Sequence, residues 1–373
     1  MRWGSVSGRD DVERVDTVVD TVVDTVVVGG GAAGLAVGWH LRRQGRRFVI
    51  LDAAARTGDS WRHRYDCLRL FTPARFCALP GLPVRLPPYA HPGKDEIADY
   101  LAEYAARFEL PIRLGTAVHA HRHAGGRHHV DATGVRIEAR HVVVATGAWS
   151  HPAFPAFAGE VDPAVRQLHS SRYRRPADLL PGPVLVVGAG TAGADIALDL
   201  ALDLAGEREV RLSGPKTGRV PLWLVRNAAF RRLLYERRVP PGRLGDVVRH
   251  RLSQRGSPLT WQSESVLRDA GVLRVPRVTG VRHGRAVLAD GRAPEVSNIV
   301  WCTGFRPDYG WLDRRAVGPD GWPIHRRGLS RTVPDLGFVG LPFQYTFASG
   351  FLGGMSGDAG HVVSRLAGPT PAA

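Results

Sequence analysis

Two copies of one glycine-rich turn constrain this chain more than any other feature. Each follows a short apolar strand and opens an apolar helix. In the first, Thr25-Val26-Val27-Val28 leads into Gly29-Gly30-Gly31-Ala32-Ala33-Gly34, followed by a helix from Leu35. In the second, Val184-Leu185-Val186-Val187 leads into Gly188-Ala189-Gly190-Thr191-Ala192-Gly193, followed by an Ala/Leu-rich helix from Ala194. Both fit G-x-G-x-x-G in strand–turn–helix context. The first glycine permits the tight turn, the second admits a pyrophosphate close to the backbone, and the third lets helix pack on strand. The unpaired N–H groups at the helix N-terminus then face the phosphates. One such match is weak, but two in context predict two dinucleotide sites.

The ends of the second strands separate the two sites. Phe48-Val49-Ile50-Leu51 stops at Asp52, where a ribose 2′-hydroxyl needs an acceptor, which suits FAD or NAD. The equivalent strand of the second unit, Glu209–Leu212, runs into Ser213-Gly214-Pro215-Lys216-Thr217-Gly218-Arg219, with no acid. Ser213, Lys216 and Arg219 instead suit the 2′-phosphate of NADP by hydrogen bonding and charge, so NADPH is favoured over NADH.

These units predict an α/β fold with two Rossmann-like dinucleotide-binding domains, the FAD domain carrying the NADPH domain as an insertion. The expected boundaries are 24–160 and 295–373 for the first domain and 161–294 for the second. A length of 373 residues allows two full cores. Residues 1–23 precede the first nucleotide strand and run into a four-residue repeat whose three copies end with Val23-Asp24-Thr25-Val26, of which only the last serves that strand. The rest reads as a disordered or frayed leader. Two strand-to-glycine junctions, Ala145-Thr146-Gly147 and Cys302-Thr303-Gly304, mark the crossings between domains, where small residues permit close backbone approach. Residues from about 220 to 256 carry Trp223 and Phe230 among many arginines and read as a helical lid over the cofactor cleft. A membrane-surface helix is the competing reading, and membrane contact is not expected.

Cys67, Cys77 and Cys302 show neither metal nor C-x-x-C spacing, which argues for a reducing cytoplasm and against a redox-active disulfide. No apolar stretch is long enough to span a membrane without interruption. The best candidate, Val184–Leu204, carries Asp195, Asp199 and Asp203 and reads as a buried helix. The net charge is +15, and only Lys94 and Lys216 among the basic residues are lysine. No nucleic-acid motif accompanies this charge, so no nucleic-acid partner is expected. His119, His121 and His123 alternate onto one face of a strand. With Gly125-Gly126 beside them and no carboxylate or cysteine partner near, they read as a solvated hairpin face and not a metal site.

Further motifs include Gly58-Asp59-Ser60-Trp61 with Tyr65-Asp66, Leu70-Phe71-Thr72-Pro73 and Leu79-Pro80-Gly81. They continue with Ala145-Thr146-Gly147, His169-Ser170-Ser171-Arg172-Tyr173 and Thr303-Gly304-Phe305-Arg306-Pro307. Taken in order with the two glycine turns, this set resembles the flavin-containing monooxygenase superfamily. It is most similar to the short bacterial branch related to plant indole-3-pyruvate monooxygenases, over about residues 25–366.

The resemblance implies FAD on the first turn and NADPH on the second. Gly29, Gly31, Ala32, Ala33, Gly34 and Asp52 would bind FAD, with Ser60, Trp61 and Thr72 along the flavin. Gly188, Gly190, Thr191, Ala192 and Gly193 would hold the NADPH pyrophosphate, with Lys216 or Arg219 on its 2′-phosphate. Thr303 and Gly304 complete the cofactor-contacting set. The implied activity is oxygenation of a small organic substrate by O2 through a C4a-(hydro)peroxyflavin, with no catalytic side chain named because the cofactor carries the chemistry. Two departures qualify it. Asp162-Pro163-Ala164 stands where the family's F-x-G-x-x-x-H would place Phe-x-Gly before His169, and Phe71 stands where animal-type members carry asparagine. An NADPH-dependent flavoprotein reductase without oxygen insertion, and a non-catalytic redox-sensing flavoprotein, are the alternatives. His169 is expected to be structural.

Overall fold

The computed structural model describes residues 19–203, 208–234, 237–240 and 258–366. The first domain is built on β1 (Val19–Val28), β2 (Phe48–Leu51), β3 (Ile112–Arg113), a hairpin of β4 (Val118–Ala124) and β5 (Arg127–Ala132), and β6 (Val135–Val144). β1 lies parallel between β2 and β6, with β3 beyond β2. Valine runs without alternation suit a strand covered on both faces, and Val26 and Val27 are fully buried. One face is covered by α1 (Ala32–Arg43) and α3 (Lys94–Arg107), with the short α2 (Asp59–Arg62) preceding α3. The other face packs on Tyr309, Leu312 and Ala316.

The second domain follows β7 (His151–Pro152). Its sheet contains β8 (Arg166–His169), β9 (Val184–Val187) and β10 (Val210–Ser213), and beyond β10 lies β11 (Leu273–Val275). α4 (Thr191–Asp203) and α7 (Glu264–Asp269) carry side chains into the core on one face. The hairpin of β12 (Val278–Arg282) and β13 (Arg285–Leu288) packs on the other. Between β10 and α7 come α5 (Leu222–Arg226) and α6 (Ala228–Leu234).

β14 (Asn298–Trp301) lies parallel between β9 and β8. The expected domain boundary at 295 therefore moves past Trp301, because this all-buried strand completes the second sheet and not the first. β15 (Phe305–Arg306) then pairs antiparallel with β7, so the outgoing and incoming crossings lie side by side. The chain returns to the first sheet through β16 (His325–Arg326), β17 (Leu329–Ser330) and β18 (Leu336–Phe338), the last parallel to β6. α8 (Leu352–Leu366) packs on the α1 face.

The leader boundary also moves. β1 pairs with β6 from Val19 onward, with an irregularity between Val19 and Thr21, so the Val19-Asp20-Thr21-Val22 copy of the repeat is strand as well. Residues 1–18 lie outside the described residues.

Candidate functional site

Both glycine turns are stitched into their sheets by the same hydrogen bonds. The Gly29 N–H donates to the Leu51 carbonyl at 2.7 Å, and the Gly188 N–H donates to that of Ser213 at 2.8 Å. On the other side, the Ala145 N–H donates to Val28 and the Cys302 N–H to Val187, each at 2.7 Å. Gly29 and Gly188 take φ of 106° and 111°, and a Cβ on them would lie 2.6 Å from the Ala145 carbonyl oxygen in the first case and closer still to that of Cys302 in the second. Only glycine fits there. Gly34 and Gly193 meet the carbonyls of Gly29 and Gly188 in the same way. The two crossings thus abut the two turns, as their small residues foretold.

Gly31 differs. A Cβ there would meet nothing within 4 Å, and its φ of −75° is ordinary. It caps α1 with no side-chain hydrogen bond, and neither α1 nor α4 has an acidic residue in its first turn. An uncapped helix N-terminus facing open space suits a phosphate group. Asp52 is held at the end of β2, accepting from the Gly30 N–H at 2.7 Å and the Ala54 N–H at 2.8 Å. The donor set and the space fit a dinucleotide on the first turn.

Trp61 is half-buried against the α1 core, Ser60 is exposed, and Thr72 is buried. The Cys77 thiol donates to the Thr72 carbonyl at 3.3 Å and lies 3.5 Å from its hydroxyl. Phe71 packs edge-on against Phe351, with ring centroids 5.0 Å apart.

Around the second turn the structure sorts the expected cations from the expected hydroxyl. Lys216 and Arg219 are exposed in the loop after β10, with Arg219 Nε donating to the Thr260 carbonyl. Ser213 is fully buried. Its hydroxyl donates to the Pro276 carbonyl at 2.8 Å and accepts from the Val278 N–H at 3.1 Å. Its one proton is spent on the β11–β12 connection, leaving no donor for a phosphate, so Ser213 is withdrawn as a nucleotide contact. The Thr191 hydroxyl donates to the Pro258 carbonyl. Gly190, Ala192 and Gly193 lie at the start of α4 beside it.

His169 ends β8 and is buried. The Ser171 N–H donates to Nδ1 at 3.2 Å, which leaves the proton on Nε2, and Nε2 donates to the Gly304 carbonyl at 2.9 Å. Burial pulls its pKa below the usual 6.5. The imidazole sits between Phe154 and Phe305, a structural tie between the two crossings. The Thr303 hydroxyl donates to the Ala153 carbonyl and belongs to the same junction.

The histidine face is not the solvated one expected. His121 and His128 are buried, with His121 Nε2 2.9 Å from His128 Nδ1, and the Asp313 N–H lies 3.4 Å from His121 Nδ1. The loop through Trp311 and Asp313 covers them, which the sequence around Gly125-Gly126 did not announce. Burial lowers both pKa values, to about 4 for His121 and about 3 for His128. Among the described residues there is no group of three or more His, Cys, Asp or Glu that could hold a metal, and no helix is long and apolar enough to cross a membrane.

The expected lid is only partly described, since residues 235–236 and 241–257 lie outside the described set. Trp223 is 67% exposed and Leu233 72%, so these two do not pack on a core as helical spacing suggested; Val225 does. Beyond α6 the chain reaches the first domain. The Val239 N–H donates to the Tyr345 carbonyl at 2.9 Å, and the Phe347 N–H to that of Arg237 at 3.3 Å.

Sequence reasoning missed a buried polar cluster between the domains. Asp195, in α4, accepts a hydrogen bond from the Tyr65 hydroxyl at 3.0 Å and another from Gln262 Nε2. One turn on, Asp199 accepts from the Tyr173 hydroxyl at 2.6 Å. The available signal was acids spaced one turn apart on an otherwise apolar helix.

The pyridine nucleotide-disulphide oxidoreductase family profile matches residues 26–217. An uncharacterized CzcO-like oxidoreductase of Geobacillus kaustophilus is 38% identical over 349 residues, covering 91% of this chain and 97% of that protein. A probable indole-3-pyruvate monooxygenase of Arabidopsis thaliana is 28% identical over 342 residues, 79% of each chain. The solved structure of a flavin-containing monooxygenase from Stenotrophomonas maltophilia matches with a TM-score of 0.74 and 29% identity, covering 93% of this chain and 99% of that one.

Proposed function

The chain belongs to the pyridine nucleotide-disulphide oxidoreductase family, in its flavin-containing monooxygenase branch, and from that premise we propose that it is an FAD- and NADPH-dependent monooxygenase of a small organic substrate. The observation that carries this reading is the repeated glycine turn, with matching hydrogen bonds at both copies and open space over Gly31. Bound FAD and NADPH would supply hydride transfer and the activation of O2.

The protein's own work is binding, orientation and exclusion of water. The amides at the start of α1 hold the FAD pyrophosphate, and Asp52 accepts from the ribose. The amides around Gly190–Ala192 hold the second pyrophosphate, and Lys216 or Arg219 meets the 2′-phosphate. The Phe71–Phe351 pair supplies an apolar wall that limits water at the flavin side. A cytoplasmic setting is part of this reading, on the cysteine usage. The asparagine-to-phenylalanine departure at Phe71 favours one second reading, an NADPH-dependent flavoprotein reductase that inserts no oxygen.

Anaerobic reduction of the purified protein by NADPH, followed by mixing with O2 in a stopped-flow spectrometer, separates the two. A long-lived near-ultraviolet absorbance before reoxidation supports the monooxygenase. Direct reoxidation with stoichiometric hydrogen peroxide supports the reductase, and failure of NADPH to reduce the flavin overturns both.

A further inference from the structure

Asp195 is buried in α4 and joins three segments that are distant in sequence. From the first domain, the Tyr65 hydroxyl donates to its Oδ2 at 3.0 Å. Tyr65 lies on the stretch that also carries Trp61 and Thr72, and its ring packs within the second domain's core. From the stretch before α7, Gln262 Nε2 donates to Oδ1, and the Trp261 side chain adds a further hydrogen bond. Gln262 is itself fully buried, and its Oε1 accepts from the Thr260 N–H at 3.1 Å, which fixes the amide orientation. These three side-chain bonds all end on the Asp195 carboxylate, an acceptor with no proton of its own when ionised.

We propose that Asp195 is a positioning residue whose carboxylate sets the angle between the two domains, by holding the Tyr65 stretch of the first against the dinucleotide helix of the second. The inference rests on the dinucleotide reading above, because the angle matters as the approach of a nicotinamide on α4 to a flavin on α1. The Cys67 thiol, on the same stretch as Tyr65, reaches the Asp195 backbone carbonyl at 3.9 Å, but the carboxylate itself is tied across the boundary by the Tyr65 hydroxyl. A buried acid held so is a poor choice for stability alone, since desolvating it is costly. Geometry across the boundary is what it provides.

The tie responds to pH. The titratable groups facing Asp195 are Tyr65, Cys67, Cys302 and Asp199, and burial raises the carboxyl pKa to about 7. Protonation turns one acceptor oxygen into a donor that competes with the donors already aimed at it. A proton on Oδ2 faces the Tyr65 hydroxyl, so one of the two must turn, and the ionised carboxylate alone accepts all three bonds as they stand.

The test uses two readouts. The first is the distance distribution between spin labels at Leu202→Cys in α4 and Leu114→Cys in the first domain, both exposed positions, on protein without added nucleotide. The second is the rate constant of anaerobic flavin reduction at saturating NADPH, with the Kd for NADP+ measured alongside. Wild-type protein should give a narrow distribution at pH 8 that broadens at pH 6, with reduction slowing several-fold, and by no more than about 10-fold, over the same range, since a carboxyl of pKa about 7 passes from mostly ionised to mostly protonated across it. Tyr65→Phe, which removes one hydroxyl, should be broad and slow at both pH values with Kd within 3-fold. Asp195→Asn should lose the pH dependence. If Asp195→Asn fails to fold, Tyr65→Phe decides. A narrow distribution in Tyr65→Phe at both pH values, with wild-type reduction rates, overturns the proposal. If neither NADPH nor NADH reduces wild-type flavin, the dinucleotide reading fails, and the label distances still decide the tie.

Discussion

His169 Nε2 donates to the carbonyl of Gly304 across 2.9 Å, joining the strand that enters the second domain to the glycine that leaves it. With β7 paired to β15, this bond makes the two crossings one structural unit. His169→Ala removes one of two donors from the Gly304 carbonyl, which also accepts from the Ala153 N–H, and should cost about 0.5–1.5 kcal/mol. Scanning calorimetry checks it, with the two domains expected to melt in separate steps. Because burial depresses the imidazole pKa below 6.5, its contribution is complete above that pH and is lost as pH falls.

Gly29 and Gly31 stand two residues apart in one turn and should respond oppositely to alanine. At Gly29 a Cβ would lie 2.6 Å from a backbone carbonyl, at a φ of 106°. Gly29→Ala should destabilise the first domain by more than about 2 kcal/mol, whether or not a cofactor is present. At Gly31 the Cβ meets open space. Gly31→Ala should melt within about 1 °C of wild type in the apo state, because strain is absent and a surface change moves stability little. It should weaken flavin binding by about 10-fold, equivalent to about 1.4 kcal/mol. Apo-protein melting and flavin titration, run side by side, distinguish the two residues.

The features written as local pattern were the ones legible in sequence. Glycine spacing after a valine run announced both turns, because steric need at Gly29 and Gly188 permits no other residue. The acid at Asp52 stands at the end of β2 as its spacing required. What failed depended on long-range packing. Nothing within Asn298–Trp301 says which sheet it joins, since all-buried strands of either domain read alike. Ser213 is a hydroxyl at the correct position in the strand, and only the approach of Pro276 and Val278 reveals that it is already used. His119, His121 and His123 alternate as an exposed hairpin would, and a loop nearly two hundred positions on buries His121 together with His128 of the facing strand. The Tyr65–Asp195 bond spans 130 residues and leaves no trace in either segment alone.

The buried imidazole pair makes the first domain acid-sensitive. Both groups are held neutral in the fold, with pKa values of about 4 and about 3, against 6.5 in the unfolded chain. The unfolded state takes up protons first as pH falls. Stability should therefore be independent of this pair above pH 7.5 and drop below 6.5, by at most about 1.4 kcal/mol per pH unit for each imidazole. Urea denaturation at pH 7.5, 6 and 5 measures the slope. His121→Gln should be less stable at pH 7.5 and show a shallower decline.

The loop after β10 allows charge recognition to be separated from scaffolding. Ser213 is buried between two backbone groups, whereas Lys216 is exposed. Ser213→Ala strips a donor from the Pro276 carbonyl and an acceptor from the Val278 N–H, both in the interior. It should cost about 1–3 kcal/mol of stability and leave the preference between NADPH and NADH unchanged. Lys216→Ala removes a solvated cation with no packing, so its melting temperature should stay at the wild-type value. If Lys216 meets the 2′-phosphate, its loss should raise the Kd for NADPH by about 10-fold and leave that for NADH within 2-fold, since only the former carries the extra dianion. Equal effects on both nucleotides would move the phosphate contact to Arg219, an exposed residue whose Nε is tied to the Thr260 carbonyl. Arg219→Ala, measured the same way, completes the comparison: the variant that changes the NADPH-to-NADH ratio without changing the melt identifies the residue that reads the phosphate.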